Sequence, residues 1–175
     1  MKLHSTHRLG RRGFAVAAAV LLVGSGTLVG VASASPGGGT VTAQVVADGV
    51  VSHRVHIEGA VELETKGAMR VLESKNTNAS VDWNAGWHAH SGPIVIVITD
   101  GAMLLRSSHD CAGTIYRAGD AFVEKTGVSY LPSNAGPGPL SWTTTQLIPV
   151  GTPTRIDRPD PCVGHGNDHE SGGDE

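Results

Sequence analysis

His88 and His90, separated only by Ala89, are the residues in this 175-residue chain whose type and spacing point most directly to chemistry. In an extended strand, positions i and i+2 face the same side, so both imidazoles would project into one space. Two imidazoles there can hold a transition metal, or they can form a polar patch in a pocket. Trp83 and Trp87 lie in the loop beside the pair, placed to line a pocket mouth, whereas Trp142 reads as core packing. His53, His56 and His109 have no partner at ligand spacing and are expected to face solvent. Glu73 and Asp110 are carboxylates whose position relative to the pair depends on the fold. Other chemistry is missing: there is no Gly-x-Ser-x-Gly elbow, phosphate-binding loop, His-Glu-x-x-His motif or nucleotide-binding glycine pattern.

The surrounding pattern is that of strands. Thr40–Val46 is rich in β-branched residues, and Val55–Thr65 alternates apolar with polar positions. Met69–Glu73 reads as another short strand. After the Gly92-Pro93 break, Ile94–Thr99 is almost wholly β-branched, which predicts a strand buried on both faces. Asp100-Gly101 then predicts a two-residue hairpin returning through Ala102–Arg106. Further strands are expected over Thr114–Tyr116, Ala121–Lys125, Val128–Leu131 and Leu140–Val150, with a turn region from Pro132 to Pro139. Many short strands with Gly and Pro turns, and no helical pattern after the N-terminal segment, predict an all-β sandwich or barrel.

The N-terminus carries Lys2, Arg8, Arg11 and Arg12 and no acid, then an apolar run from Phe14 to about Val31, then Ala32-Ser33-Ala34. This order predicts a signal peptide, residues 1–34, cleaved after Ala34 and delivering a secreted or extracytoplasmic protein. A retained membrane anchor is the alternative, since the run is about the ~20 residues that span a bilayer. Arg11-Arg12-Gly13-Phe14 fits both a twin-arginine and an ordinary secretory signal. Cleavage would remove four of the 13 Lys and Arg, leaving nine against 16 Asp and Glu, a formal charge of −7. That sign, with no basic cluster interleaved with aromatics, argues against nucleic acid as a partner. Residues 35–39 read as a Pro-Gly linker, 40–157 as one domain and 158–175 as an acidic, mostly disordered tail. His165, Asp168, His169 and Glu170 there read as a solvated face or a loose metal-binding cluster. Export makes a disulfide between Cys111 and Cys162 the expected state, tying the tail to the domain, with two free thiols as the alternative.

From Thr40 to Ile156 the chain resembles the cupin superfamily. The first cupin motif runs Gly, five residues, His-x-His, three or four residues, Glu, six residues, Gly. His88-Ala89-His90 supplies the His-x-His, Ile94 stands at the Glu position, and Gly101 closes the motif. Asp82 occupies the first Gly position, with Gly86 nearby. The second motif runs Gly, five residues, Pro-x-Gly, two residues, His, three residues, Asn. Here Gly119 opens it, Lys125-Thr126-Gly127 stands for Pro-x-Gly, Tyr130 replaces the His, and Asn134 closes it.

The resemblance implies a jelly-roll β-barrel and a metal site at His88, His90 and Tyr130, with Trp83, Trp87, Ile94 and Asn134 around the pocket. Iron, copper, manganese, nickel or zinc would suit such donors better than magnesium or calcium. The function expected is binding of a small molecule or a transition metal without assured catalysis. The alternatives are a metal-dependent cupin dioxygenase or isomerase acting on a small polar substrate, and a scaffold whose histidines are relics. Exposed sheet edges leave room for a homodimer.

Overall fold

The computed structural model describes residues 30–33, as backbone, and residues 37–163. Most of the expected signal peptide, and the tail beyond Val163, lie outside the described residues. Within them the chain forms thirteen strands and no α-helix. These are β1 (Gly30–Ser33), β2 (Thr40–Val51), β3 (His56–Ile57), β4 (Leu63–Glu64), β5 (Met69–Asn78), β6 (His88–Ala89) and β7 (Ile94–Asp100). Then follow β8 (Ala102–Ser107), β9 (Asp110–Arg117), β10 (Ala121–Glu124), β11 (Tyr130–Asn134), β12 (Leu140–Pro149) and β13 (Ile156–Asp157).

They assemble into a six-stranded sheet, β1-β2-β5-β12-β7-β10, and a five-stranded sheet, β13-β6-β11-β8-β9, with β3-β4 as a separate hairpin. The expected closed barrel is therefore corrected to two open sheets sharing one core. Ile94, Ile96, Ile98, Phe122, Leu140 and Trp142 come from the larger sheet, and Met103, Leu105 and Tyr130 from the smaller. An apolar inner face on each antiparallel sheet is enough to close this core without a continuous ring of hydrogen bonds.

Several local expectations change for physical reasons. β7 is buried on one face only. Ile94, Ile96 and Ile98 point inward, while Val95 and Val97 are 40% and 36% exposed. A β-branched side chain fits a pleated surface whether or not that surface is covered. Asp100-Gly101 does not close a hairpin, because β7 and β8 belong to different sheets. It turns a corner at Gly101, where φ is +77° and a Cβ would sit 2.5 Å from the Pro139 carbonyl oxygen. The Val55–Thr65 segment contributes only the two-residue strands β3 and β4, both outside the two main sheets. β11 extends through Pro132 into the expected turn region, with Pro132 opposite Leu105. Gly38, in the expected linker, bridges Asn84, and Gly30–Ser33 of the expected leader lie beside β2.

The last described segment turns back across the smaller sheet. Ile156 and Asp157 pair with Ala89 and His88, and Cys162 is bonded to Cys111 of β9. The expected disulfide is formed, and it fastens the C-terminal segment to the sheet that carries the histidines.

Candidate metal centre

β6 is short, but it has a neighbour on each side: β13 through Ile156 and Asp157, and β11 through Tyr130. This places His88 and His90 inward, with their ring centroids 4.8 Å apart and the rings edge to face. His88 is 5% exposed, and the His90 side chain 10%. Each ring is oriented by a backbone carbonyl. His88 Nδ1 donates to the Gly86 oxygen at 2.8 Å, and His90 Nδ1 donates to the Thr154 oxygen. A carbonyl can only accept, so each Nδ1 holds a proton, and Nε2 is the ring nitrogen left to serve as a ligand atom. A second-shell bond of this kind orients a histidine for metal ligation. Burial pushes the His88 imidazole down to about 4, although the Glu124 carboxylate and the Gly86 carbonyl act in the opposite sense. His88 is therefore neutral, as a ligand must be, over the ordinary pH range.

The third donor is Glu124, which sequence reasoning missed. It ends β10, is 1% exposed, and brings Oε2 to 3.0 Å from His90 Nε2. One donor atom from each of His88, His90 and Glu124 lies within 4.8 Å of the others. The placement follows from strand register. Glu124 is the cross-strand partner of Ile94, the residue at the motif's Glu position. The carboxylate missing from β7 is thus supplied from the next strand, on the same rung and the same inward face. A sequence signal existed: Phe122 and Glu124 share strand parity, so a lone acid sits on a strand's apolar face. Glu73 and Asp110, the carboxylates considered from sequence, are both exposed.

The other expected site residues divide into two groups. Trp83, Ile94 and Trp142 line a cavity of about 230 Å³ that also includes His88, His90 and Glu124. Tyr130, Trp87 and Asn134 are not among its lining residues. The Tyr130 hydroxyl accepts the Lys125 N–H at 2.9 Å. Its pKa is raised, chiefly by burial, with the Lys125 N–H opposing and the Glu124 charge adding, which works against a phenolate ligand. Trp87 is buried, and its carbonyl accepts the Arg158 N–H at 2.9 Å. Asn134 fixes a turn: Nδ2 donates to Ser80 and Gly138 carbonyls at 3.2 and 2.8 Å, and Oδ1 accepts the Gly136 N–H at 2.9 Å. His53, His56 and His109 are exposed, as expected.

A metal is what the cupin resemblance implies, and the residues present fit one. Two imidazoles and a carboxylate suit first-row transition metals. In addition, Glu124 Oε1 is buried without a hydrogen-bond partner among the described residues. An unpaired carboxylate oxygen in such a place is costly unless a cation or ordered water meets it.

No protein-family model matches the chain, and no curated protein matches it. Among solved structures, it is similar to a cupin-like protein from Thermotoga maritima at 14% identity and a TM-score of 0.48, covering 70% of this chain and 78% of that one. A predicted oxalate decarboxylase from the same organism is similar at 16% identity and a TM-score of 0.40, covering 57% and 95%. A DMSP lyase is similar at 9% identity and a TM-score of 0.48, covering 68% of this chain; the chain spans about half (53%) of that protein's length. Cupins are thus among the solved structures it is similar to. At these identities and scores the likeness assigns no activity.

Proposed function

We propose that this chain is an exported cupin-type protein that binds a transition-metal ion through His88, His90 and Glu124 at one end of a small-molecule cavity. One observation carries the reading: three buried donors, two from the β6 segment and one from β10, converge within 4.8 Å, with each imidazole pre-oriented by a carbonyl. The disulfide and the leader-like N-terminus support an oxidising, extracytoplasmic setting. A bound metal would supply a Lewis acid with positions left open to a small molecule.

The chain's own groups prepare that event. His90 uses Nδ1–H on Thr154, so its Nε2 contact with Glu124 needs a shared proton when no cation is present. A bound cation would take the place of that proton, so metal uptake would release a proton to solvent. The isoleucines and tryptophans around the site give it a largely apolar lining, which strengthens the field of the carboxylate. Catalysis on a small polar substrate is the second reading, favoured by a cavity that adjoins the donor set directly.

The test is metal content and affinity in protein purified without a polyhistidine tag. Stoichiometric metal, lost in a His88→Ala, His90→Ala double variant, is the expected result. Glu124→Gln should weaken binding more than about tenfold, since it removes the charged donor. The double variant keeps the histidines of the tail, so equal metal in both proteins would transfer binding to the tail and overturn the reading.

A further inference from the structure

Among the described residues, three buried side-chain polar atoms lack a hydrogen-bond partner: Trp83 Nε1, Glu124 Oε1 and Gln146 Oε1. All three belong to residues that line the same cavity. Buried polar groups are nearly always paired, so three orphans sharing one space point to something that fills it. Glu124 faces the metal site. The other two remain to be explained.

Their placement follows from the ladder. Glu124 pairs with Ile94, and Ile94 pairs with Gln146 on the next strand. The rung Glu124–Ile94–Gln146 therefore spans two strand spacings, about 10 Å from one outer backbone to the other. A molecule lying along it meets a carboxylate-held cation at one end, an aliphatic side chain in the middle and a carboxamide at the far end. Ser74, Asn76 and Thr144, on the rungs beyond Gln146, satisfy one another through contacts of 2.8–3.3 Å. They form a neutral polar wall rather than a second charged site.

The chemistry at each end selects the occupant. A divalent cation held by one carboxylate and two neutral imidazoles keeps net positive charge, which favours an anionic oxygen donor. The Trp83 indole N–H can only donate, so it needs an acceptor. Gln146 Oε1 needs a donor, and a hydroxyl can satisfy the carboxamide in either of its two orientations. The Ile94 side chain between them accepts a short methylene body but no polar group. The volume, about 230 Å³, is below the roughly 300–1,000 Å³ of drug-sized pockets, so the molecule is small.

We infer that the cavity binds a small hydroxy acid, its carboxylate at the His88–His90–Glu124 end and its hydroxyl at Gln146. The inference rests on the proposed metal reading, and the test separates the two. Zinc is titrated first into the metal-free protein. The zinc-loaded protein is then titrated calorimetrically with 4-hydroxybutyrate and, in parallel, with butyrate. The two probes share a carboxylate and a chain length, and neither can chelate the metal through an α-hydroxyl.

The expected result is at least about tenfold tighter binding of 4-hydroxybutyrate, because butyrate leaves Gln146 unpaired. Gln146→Leu should abolish that preference while leaving zinc affinity unchanged. Trp83→Phe should weaken both probes, again at unchanged zinc affinity. Zinc binding with equal affinity for the two probes, or with no binding of either, overturns the hydroxy-acid inference and leaves the metal reading standing. Failure to bind zinc overturns both. A thermal melt of each variant matching the parent identifies a folded protein, and persistence of the preference in folded Gln146→Leu overturns the assignment of the hydroxyl end.

Discussion

The two halves of the candidate metal centre are held in contrasting ways. Glu124 ends the four-residue edge strand β10, which pairs along its whole length with β7 in a ladder that β12 and β5 continue. Its position is fixed by register, and register is fixed by an inward face that includes Ile94, Ile96, Ile98 and Phe122. His88 and His90 sit on or beside a two-residue strand that has little ladder of its own. Their support is the segment 154–158. Thr154 accepts from His90, Arg155 donates to the Ala85 carbonyl, Ile156 and Asp157 pair with β6, and the Arg158 N–H donates to Trp87. The disulfide to β9 then fastens that strap. A carboxylate set by a sheet should survive perturbation of the chain's end; imidazoles set by a strap should not.

Cutting the strap's anchor gives the largest expected effect. The cysteines are 51 residues apart. A loop of that size is worth about 4 kcal/mol in the chain-entropy treatment, and often less in practice. Replacing both cysteines with serine should therefore lower the melting temperature by many degrees. Below the melt, metal affinity should also fall, because His90 loses its orienting Thr154 carbonyl and β6 loses its β13 partner while Glu124 stays in place. Calorimetry and a metal titration check this together. An unchanged affinity in the folded variant would mean that β6 is held without the strap.

The next effect depends on pH. In the unfolded chain His88 titrates near 6.5, whereas burial brings it to about 4 in the fold. Between those values the unfolded state binds the proton and the folded state does not. The stability contributed by a neutral His88 is thus fully present above about 6.5 and is lost as pH falls toward 4. The difference amounts to roughly 3 kcal/mol. Urea melts of metal-free protein in chelator should show this slope, and His88→Gln should flatten it.

This contrast also accounts for what the sequence made legible. The strand-rich pattern, the paired histidines and the disulfide could be read from residue type and spacing, because each is a local or compartmental property. Glu124 could not be read the same way, since its approach to His90 depends on the register between β7 and β10. Ile94 looked like the loss of a ligand because the motif is linear, whereas the structure satisfies it across a rung. Val95 and Val97 were expected to be buried because β-branching records strand preference and not which face is covered. Tyr130 lies opposite His88, as the motif spacing implies, but its hydroxyl is taken by the Lys125 N–H.

If register alone positions the carboxylate, moving it along the rung should be tolerated. Glu124→Ile alone should reduce metal affinity more than about tenfold. Adding Ile94→Glu returns a carboxylate to the same inward face one strand away, about 5 Å along the rung. The double variant should recover to within about tenfold of the parent in a competition titration. No recovery, with the melt unchanged, would show that the Glu124 position carries a requirement beyond facing the cavity.

The smallest expected effect falls on the strap side and separates support from electrostatics. Arg155 donates through Nη2 to the Ala85 carbonyl at 2.8 Å and through Nε to Asp157 at 2.8 Å. Arg155→Met keeps the aliphatic stem but removes both bonds, which should lower stability by about 1 kcal/mol. Two consequences for the metal centre then oppose each other. Arg155 repels positive charge at His88, so its removal favours a cation. Loss of the Ala85 bond loosens the strap and disfavours it. Arg155 acts on His88 only as one of the smaller electrostatic contributions, behind burial, the Glu124 charge and the Gly86 carbonyl. Loosening should therefore win, and metal affinity should fall a few-fold, mainly through faster dissociation. A rise in affinity would mean that the histidines respond to local charge more than to the segment that holds them, and the distinction between ladder and strap would lose its basis.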